Sequence, residues 1–437
     1  MTQHHRRIVA AAALFTASAL TAALAGCAGP APVTELDTDA DVTIEVWSGQ
    51  VDAVQETLQA LADEYHEAHP NVTVKLSSGA PTADLLLQKL LSGFAANQYP
   101  DVSYAYGRWA SELHDSGRTL DIAEAVEDPA VGWDDFPAAA RQTVQPSGEE
   151  IIGFPAVIDN IGLIYNKTIF DQAGLDYPTD DWTWDDFREA ARELTDPATQ
   201  VFGYGTTVSG TGSTAFQFWP RLWQNGGQIL DDDSKGAAFN SAAGVEALAD
   251  LQAMAIDDKS IYLDQTETQY LQLFASDRIA MVTSGPWNLT DFKAAGTDYG
   301  VVQLPGTDGD HQTVGGPDMW ALLDHDDVNR AYWATDFTNW LTQPEQDARF
   351  NVENGNLPLR TSELDTDAVK EQSAVYPGYD VFVENLGNIE NALPTADGFA
   401  DVATAAGKAI SEVLQGQGDP QSALDDAVQE SNAALAK

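Results

Sequence analysis

An acid and an amide, Asp159–Asn160, sit side by side in the apolar stretch FPAVIDNIGLIYNKTIF, residues Phe154 to Phe170. The β-branched residues around them read as a buried strand. An ionised carboxylate there costs on the order of several kcal/mol unless a partner or a wet cleft accepts it. Two chemistries answer that cost: hydrogen bonding to a polar ligand, or a buried ion pair with one of the chain's few arginines. Flat apolar faces combined with charged or amide hydrogen-bonding groups bind neutral, polyhydroxylated solutes such as sugars. Candidates for both kinds of group recur at the ends of expected strands.

Ligands of open α/β sheets lie outside the carboxyl ends of strands. Trp47 and Ser48 follow the expected strand VTIEVW, where edge packing is the competing role. Tyr106, Arg108 and Trp109 (in AYGRW) follow DVSYAY; Arg108 could instead pair with one of the many carboxylates. Phe216 and Trp219 in AFQFWP have the spacing of an aromatic stripe, which by itself means core. Trp287 in SGPW follows the strand RIAMVTS and a Gly–Pro turn that exposes the next side chain.

The elements that would hold these residues alternate. Val54, Leu58, Leu61 and Tyr65 fall at helical spacing between VTIEVW and the strand NVTVKL. A helix from Asp84 through LLLQKLLSGFAA must stop before Pro100. Thr183 is placed to cap TWDDFREAARELTD, with Phe187, Ala191 and Leu194 on one face. Trp333, Phe337, Trp340 and Leu341 form another helical face, and Leu424, Val428 and Leu435 a third. Strands alternating with helices predict an α/β protein with mainly parallel, helix-covered sheets. No repeat and no internal Pro/Gly/Ser linker interrupts it, so two lobes joined by several crossings are expected rather than separate beads.

The chain carries 68 acidic against 21 basic residues, a net charge of -47. That charge repels nucleic acid and anionic membrane surfaces. The acids are spread along the whole sequence and read as a solvated surface, an adaptation to high salt in which screening relieves self-repulsion. With 43% hydrophobic residues and 11 tryptophans the chain is not disordered. The start, MTQHHRRIVAAAALFTASALTAALAGC, has a basic end, a short apolar core and small residues, which is a secretory signal rather than a membrane span. LAGC resembles the bacterial lipobox, whose cysteine becomes the lipidated first residue. Residues 1–26 are therefore expected to be removed, Cys27 to be lipidated, and residues 27–41 to form a tether. The protein would be exported and anchored to the outer face of the cell membrane. The Arg6–Arg7 pair is also compatible with twin-arginine export, although the following IVA is a poor match. Cys27 is the single cysteine, so no disulfide forms within the chain. The histidines show no metal-ligand spacing, and no cofactor or metal is expected.

From about Val42 to the C-terminus the chain resembles the extracellular solute-binding proteins of ABC importers, in particular the sugar-binding family that includes maltose-binding protein. The motifs occur in family order: YPDVSYAYGRWASELHDSGRTLDI, GFPAVIDNIGLIYNKTIF, WPRLWQNGG, FASDRIAMVTSGPWNL, LPGTDGDHQTVGGPDMWALL and NGNLPLR. The resemblance implies a periplasmic-binding-protein type II fold, two α/β lobes joined by three crossings around a central cleft. Lobe 1 would comprise 42–156 and 316–360, and lobe 2 157–315 and 361–437. It also implies that Trp287 and Phe216 stack on the ligand, that Trp219 supports Phe216, and that Asp159 and Asn160 reach sugar hydroxyls from the first crossing. Gly315, Gly316 and Asp318 would line the second crossing, and Arg360 the third. Near LPTADGFADVATA the family's maltose binder carries paired aromatics; here Ala400 and Asp401 stand roughly at those positions, with Phe399 retained. The resemblance therefore does not extend to a long maltodextrin-like ligand.

The expected function is capture of a mono- or oligosaccharide by a monomeric, non-catalytic protein that delivers it to the permease subunits of an ABC transporter. A secreted glycoside hydrolase would share the acids and tryptophans, but it needs two carboxylates roughly 5–10 Å apart across the bond, and nothing singles out such a pair. A polyamine binder would use Asp159 and Asp318 among aromatics. A glycerol phosphate binder is disfavoured by the shortage of Lys and Arg in the candidate loops.

Overall fold

The computed structural model describes residues 32–50, 52–80, 83–146, 149–231 and 234–436. The expected signal segment and Cys27 lie outside the described residues. Among the described residues no helix is long and apolar enough to cross a membrane.

Two five-stranded sheets organise the chain. The first contains β1 (Val42–Trp47), β2 (Val72–Ser77), β3 (Val102–Ala105), β4 (Gly153–Val157) and a late strand, while β5 (Gly162–Asn166), β6 (Phe202–Thr207), β7 (Ile261–Asp264), β8 (Ile279–Ser284) and β9 (Tyr299–Val302) form the second. The late strand, β10 (Asp318–Leu322), sits between β3 and β4, giving the order β2-β1-β3-β10-β4; the second sheet runs β7-β6-β8-β5-β9.

Consecutive strands linked by helices pair in parallel, β1 with β2 and β3, and β6 with β7 and β8. The expectation of mainly parallel sheets needs one amendment. β10 is antiparallel to β3 and β4, and β5 is antiparallel to β8 and β9. Both strands are entered directly from the other sheet, so they start at the edge facing it and run against their neighbours. The consequence is that the amino ends of β5 and β10 share an edge with the carboxyl ends of their neighbours.

The helices form where the sequence predicts them. Thr183 and Asp186 make a reciprocal capping box on Trp184–Leu194, whose Phe187, Ala191 and Leu194 are buried. Trp333, Phe337 and Leu341 of Val328–Leu341 are buried in the first lobe, and Leu424 of Pro420–Leu435 in the second. Phe399–Leu414 packs on Gly212–Gln224 and on Pro420–Leu435, closing the second lobe.

Two sets of contacts lie next to the expected boundaries. The described part of the tether is not free: Val33 bridges Asp327, and the Asp37 amide donates to Asn329 Oδ1 at 2.7 Å. In the third passage Thr361 and Ser362 still hydrogen-bond Asp135 of the first lobe, beyond the expected boundary at 360.

Candidate functional site

The carboxyl ends of β1, β3, β4, β6, β7 and β8 converge on one cavity of about 460 Å³ between the two sheets. They supply Gln50, Tyr106 to Arg108, Asp159, Thr207, Glu267, Ser284, Trp287 and Asn288. Asp318, at the amino end of antiparallel β10, reaches the same edge for the reason given above. The helix Gly212–Gln224 adds Phe216 and Gln217, and the passage before Arg360 adds Asn356. This is the crevice position expected of α/β binding sites, and its volume lies within the ordinary range for small-molecule pockets of roughly 300–1,000 Å³.

Eight of the expected site residues line this cavity: Tyr106, Arg108, Asp159, Phe216, Trp219, Trp287, Gly316 and Asp318. Trp219 does so from within the wall, 1% exposed and packed on Phe218 and Phe239. Phe216 stands opposite the second crossing; a Cβ on Gly316 would lie 3.5 Å from its ring.

The other six lie elsewhere, each for a local reason. Period-two alternation puts Trp47 on the solvent side of β1 with Thr43 and Glu45, where Lys89 Nζ sits 3.9 Å above its ring. Ser48 is buried and spends its hydroxyl on Gln55 Oε1 at 2.5 Å and on the Gln50 amide, so it shapes the turn that presents Gln50. Trp109 is buried behind Tyr106, ring centroids 4.8 Å apart. Asn160 is fully buried, donating to the Phe382 carbonyl and accepting from Asn385, both at 2.8 Å. Gly315 faces Ile389, which a Cβ would meet at 2.8 Å. Arg360 donates to the carbonyls of Thr342 (2.7 Å) and Gly132 (3.1 Å), with its guanidinium over Phe136, so it fastens the third passage to the first lobe.

Sequence reasoning did not single out Gln50, Tyr104 or Glu267. Glu267 takes a left-handed backbone conformation, φ 68°, and its Oε1 accepts from the hydroxyls of Ser209 and Thr211 at 2.6 Å each. Its signal was only that it follows a strand. Tyr104 lies inside β3 and reads as core, yet its hydroxyl donates to Asp318 Oδ2 at 2.5 Å.

The electrostatics of the site centre on Asp159 and Asp318. Burial pushes the Asp318 carboxyl up to about 6, against the lowering effect of its bonds from Tyr104 and the Gly107 amide and of the Arg108 charge. Burial, and then the charge of Asp318, raise Asp159 well above the usual carboxylate range. Burial and the adjacent Asp318 raise the Tyr104 phenol in the same way. Arg108 lies over the Tyr106 ring, its Cζ 4.6 Å from the centroid. Among the described residues there is no group of three or more His, Cys, Asp or Glu able to hold a metal ion.

The family model described as "bacterial extracellular solute-binding protein" matches residues 60–377. The sn-glycerol-3-phosphate-binding periplasmic protein UgpB of Brucella suis is 24% identical over 442 residues, covering 97% of this chain and 98% of its own. Among solved structures, the cyclic α-maltosyl-1,6-maltose binding protein of Arthrobacter globiformis superposes with a TM-score of 0.77 at 25% identity, covering 91% of this chain and 99% of its own. UgpB of Mycobacterium tuberculosis, solved with glycerophosphocholine, superposes with a TM-score of 0.79 at 19% identity, covering 90% of this chain and 98% of its own. With two α/β sheets facing one cleft, the type II binding-protein fold of these neighbours, the chain belongs to the bacterial extracellular solute-binding protein family.

Proposed function

We propose that this protein captures a carbohydrate, mono- or oligosaccharide, by lobe closure and presents it to the permease of an ABC importer. The observation that carries this reading is the composition of the interlobe cavity. Aromatic faces from both sides (Tyr106 from one, Phe216 and Trp287 from the other) enclose hydrogen-bonding groups on Asp159, Gln217, Asp318 and Asn356. Tyr106, Arg108, Asp159, Phe216, Trp287 and Asp318 are the proposed ligand contacts, with Trp219 and Gly316 shaping the wall. In the same reading residues 1–26 are an export signal and Cys27 carries the lipid anchor. The lobes comprise 42–156 with 316–360 and 157–315 with 361–437, and the protein works as a monomer.

Relatives named for sn-glycerol-3-phosphate favour a second reading, a phosphate ester. Against it stands the charge of the lining, in which, among the described residues, Arg108 is the one basic side chain beside three carboxylates.

A thermal-shift screen over mono- and oligosaccharides, with glycerol 3-phosphate as an additional arm, tests both. A specific ligand at a hundredfold excess over its dissociation constant stabilises the fold by about 2.7 kcal/mol. Stabilisation by a saccharide supports the carbohydrate reading, whereas stabilisation by glycerol 3-phosphate alone replaces it.

A further inference from the structure

The cavity is unbalanced in charge for a neutral solute. Among the described residues, Asp159, Glu267 and Asp318 line it against Arg108 alone. Glu267 is satisfied by the two hydroxyls described above, which leaves the aspartates. Asp318 pairs in the β10–β4 ladder with Val157, two residues before Asp159, and the Asp159 carbonyl accepts from the Gly316 amide at 3.1 Å. Two acids thus occupy one wall of the cleft. Both oxygens of Asp318 are engaged, by Tyr104 and by the Gly107 amide. Asp159 Oδ1 is enclosed and has no hydrogen-bond partner. Arg108 acts on Asp318 only through its charge and forms no ion pair with either acid: it is drawn over the rings of Tyr106 and Trp109, and no ion pair among the described residues includes either aspartate.

Resting on the carbohydrate reading, we propose that the ligand carries a cationic amine, as an amino sugar does, whose ammonium group sits against Asp159 and Asp318. A sugar hydroxyl would give Asp159 Oδ1 a hydrogen bond but would leave the mutual repulsion of the two acids uncompensated. An ammonium group supplies the hydrogen bond and cancels the repulsion. The rings of Tyr104 and Trp287, which line the same space, also favour a cation. The raised carboxyl ranges of the two aspartates fit this arrangement: burial, and for Asp159 also the charge of Asp318, disfavours ionised acids in the empty cleft, a cost that an ammonium group relieves.

The test compares ligands that differ only at the amine, by calorimetric titration near neutral pH. One set is glucosamine, glucose and N-acetylglucosamine; the other is the β1,4-linked glucosamine dimer, cellobiose and N,N′-diacetylchitobiose. The amine member of a set should bind about tenfold or more tighter than its neutral partners, as expected for charge-assisted over neutral hydrogen bonds. Asp159→Asn, which keeps shape and hydrogen bonding, should reduce that preference about tenfold while weakening neutral ligands much less; Asp318→Asn provides the same test from the neighbouring residue. Equal or tighter binding of the neutral members overturns this inference and leaves the carbohydrate reading standing. Equal loss for charged and neutral ligands in both variants also overturns it. Binding of no saccharide of either kind overturns the carbohydrate reading, and this inference with it.

Discussion

The ring of Trp287 lies folded over Gly285, so closely that a Cβ on Gly285 would come within 1.9 Å of Trp287 Cζ3 and 2.3 Å of Cε3. Gly285 has φ −103°, an ordinary value, so what the position demands is space rather than backbone freedom. The buried strand β8 ends here, and Pro286 begins a short 3-10 turn that holds Trp287 at the cavity, with Ser284 bonded to Asn288 Oδ1 at 2.6 Å beneath it.

Trp287→Ala should therefore weaken saccharide binding about tenfold, since an aromatic stacking contact contributes roughly 0.5–1.5 kcal/mol beyond its area. Gly285→Ala should produce a comparable loss without removing the ring, by displacing it. Calorimetric titration and thermal melts of both variants measure this. A native-like melt with full affinity in Gly285→Ala would mean that the ring's position is not used.

Asp318 makes stability depend on pH in a definite direction. Its folded-state carboxyl titrates at about 6 against an ordinary 3.8, so between those values the folded state binds more protons than the unfolded one. The contribution is favourable at low pH and is lost as pH rises through that window. The groups facing the carboxyl are the Tyr104 hydroxyl, the Gly107 amide, Arg108 and Asp159. Asp318→Asn should gain stability relative to wild type from about pH 4 to pH 6, by up to about 3 kcal/mol for a shift of roughly two units. Denaturant melts of both proteins across that range give the difference directly; a pH-independent difference would contradict the assignment.

Much of this was legible in the sequence because it depends on backbone pattern. Alternating strands and helices, the Thr183 cap and the order of motifs specify which loops meet at the cleft. Direction within a loop was not legible. Trp47 ends β1 and Tyr106 follows β3 in the same sheet, yet alternation turns Trp47 outward while Tyr106 lines the cavity. Asp159 and Asn160 are adjacent, and one faces the cavity while the other is bonded to Phe382 and Asn385. The reversal of β5 and β10 was hidden for a different reason: strand direction in a sheet follows from which lobe the chain enters from, a long-range property.

The acidic surface predicts a salt response. With a net charge of -47, self-repulsion opposes the compact state, and molar NaCl shortens the screening length to about 3 Å. The melting temperature of the free protein should rise as NaCl goes from low to molar. A flat or falling curve in differential scanning calorimetry would remove salt adaptation as the reason for the composition.

Closure should carry a cost that the ligand must overcome. In this structure the lobes touch: the Ser111 hydroxyl donates to the Thr395 carbonyl, and a Cβ on Gly212 would lie 3.6 Å from Arg108 Nε. The same approach sets Glu112 of Ala110–Asp115 near Asp401 of Phe399–Leu414, and Glu112 is raised by burial and then by the Asp401 charge. Two acids facing each other across the cleft penalise the closed form, and only a ligand with greater affinity for that form can shift the balance. Glu112→Gln removes the repulsion without touching the cavity. At an effective dielectric near 20 such a pair is worth on the order of 1 kcal/mol once solvent screening is allowed for, so affinity should rise several-fold. Small-angle scattering should show a smaller radius of gyration with saturating saccharide in wild type, and a smaller value already without it in the variant. The passages at Ile158–Ile161 and Val314–Pro317 are the segments whose dihedrals would absorb the movement, because Arg360 fixes the third to the first lobe. Identical scattering with and without ligand, in both proteins, would mean that the site is rigid and preformed, and the closure mechanism would fall.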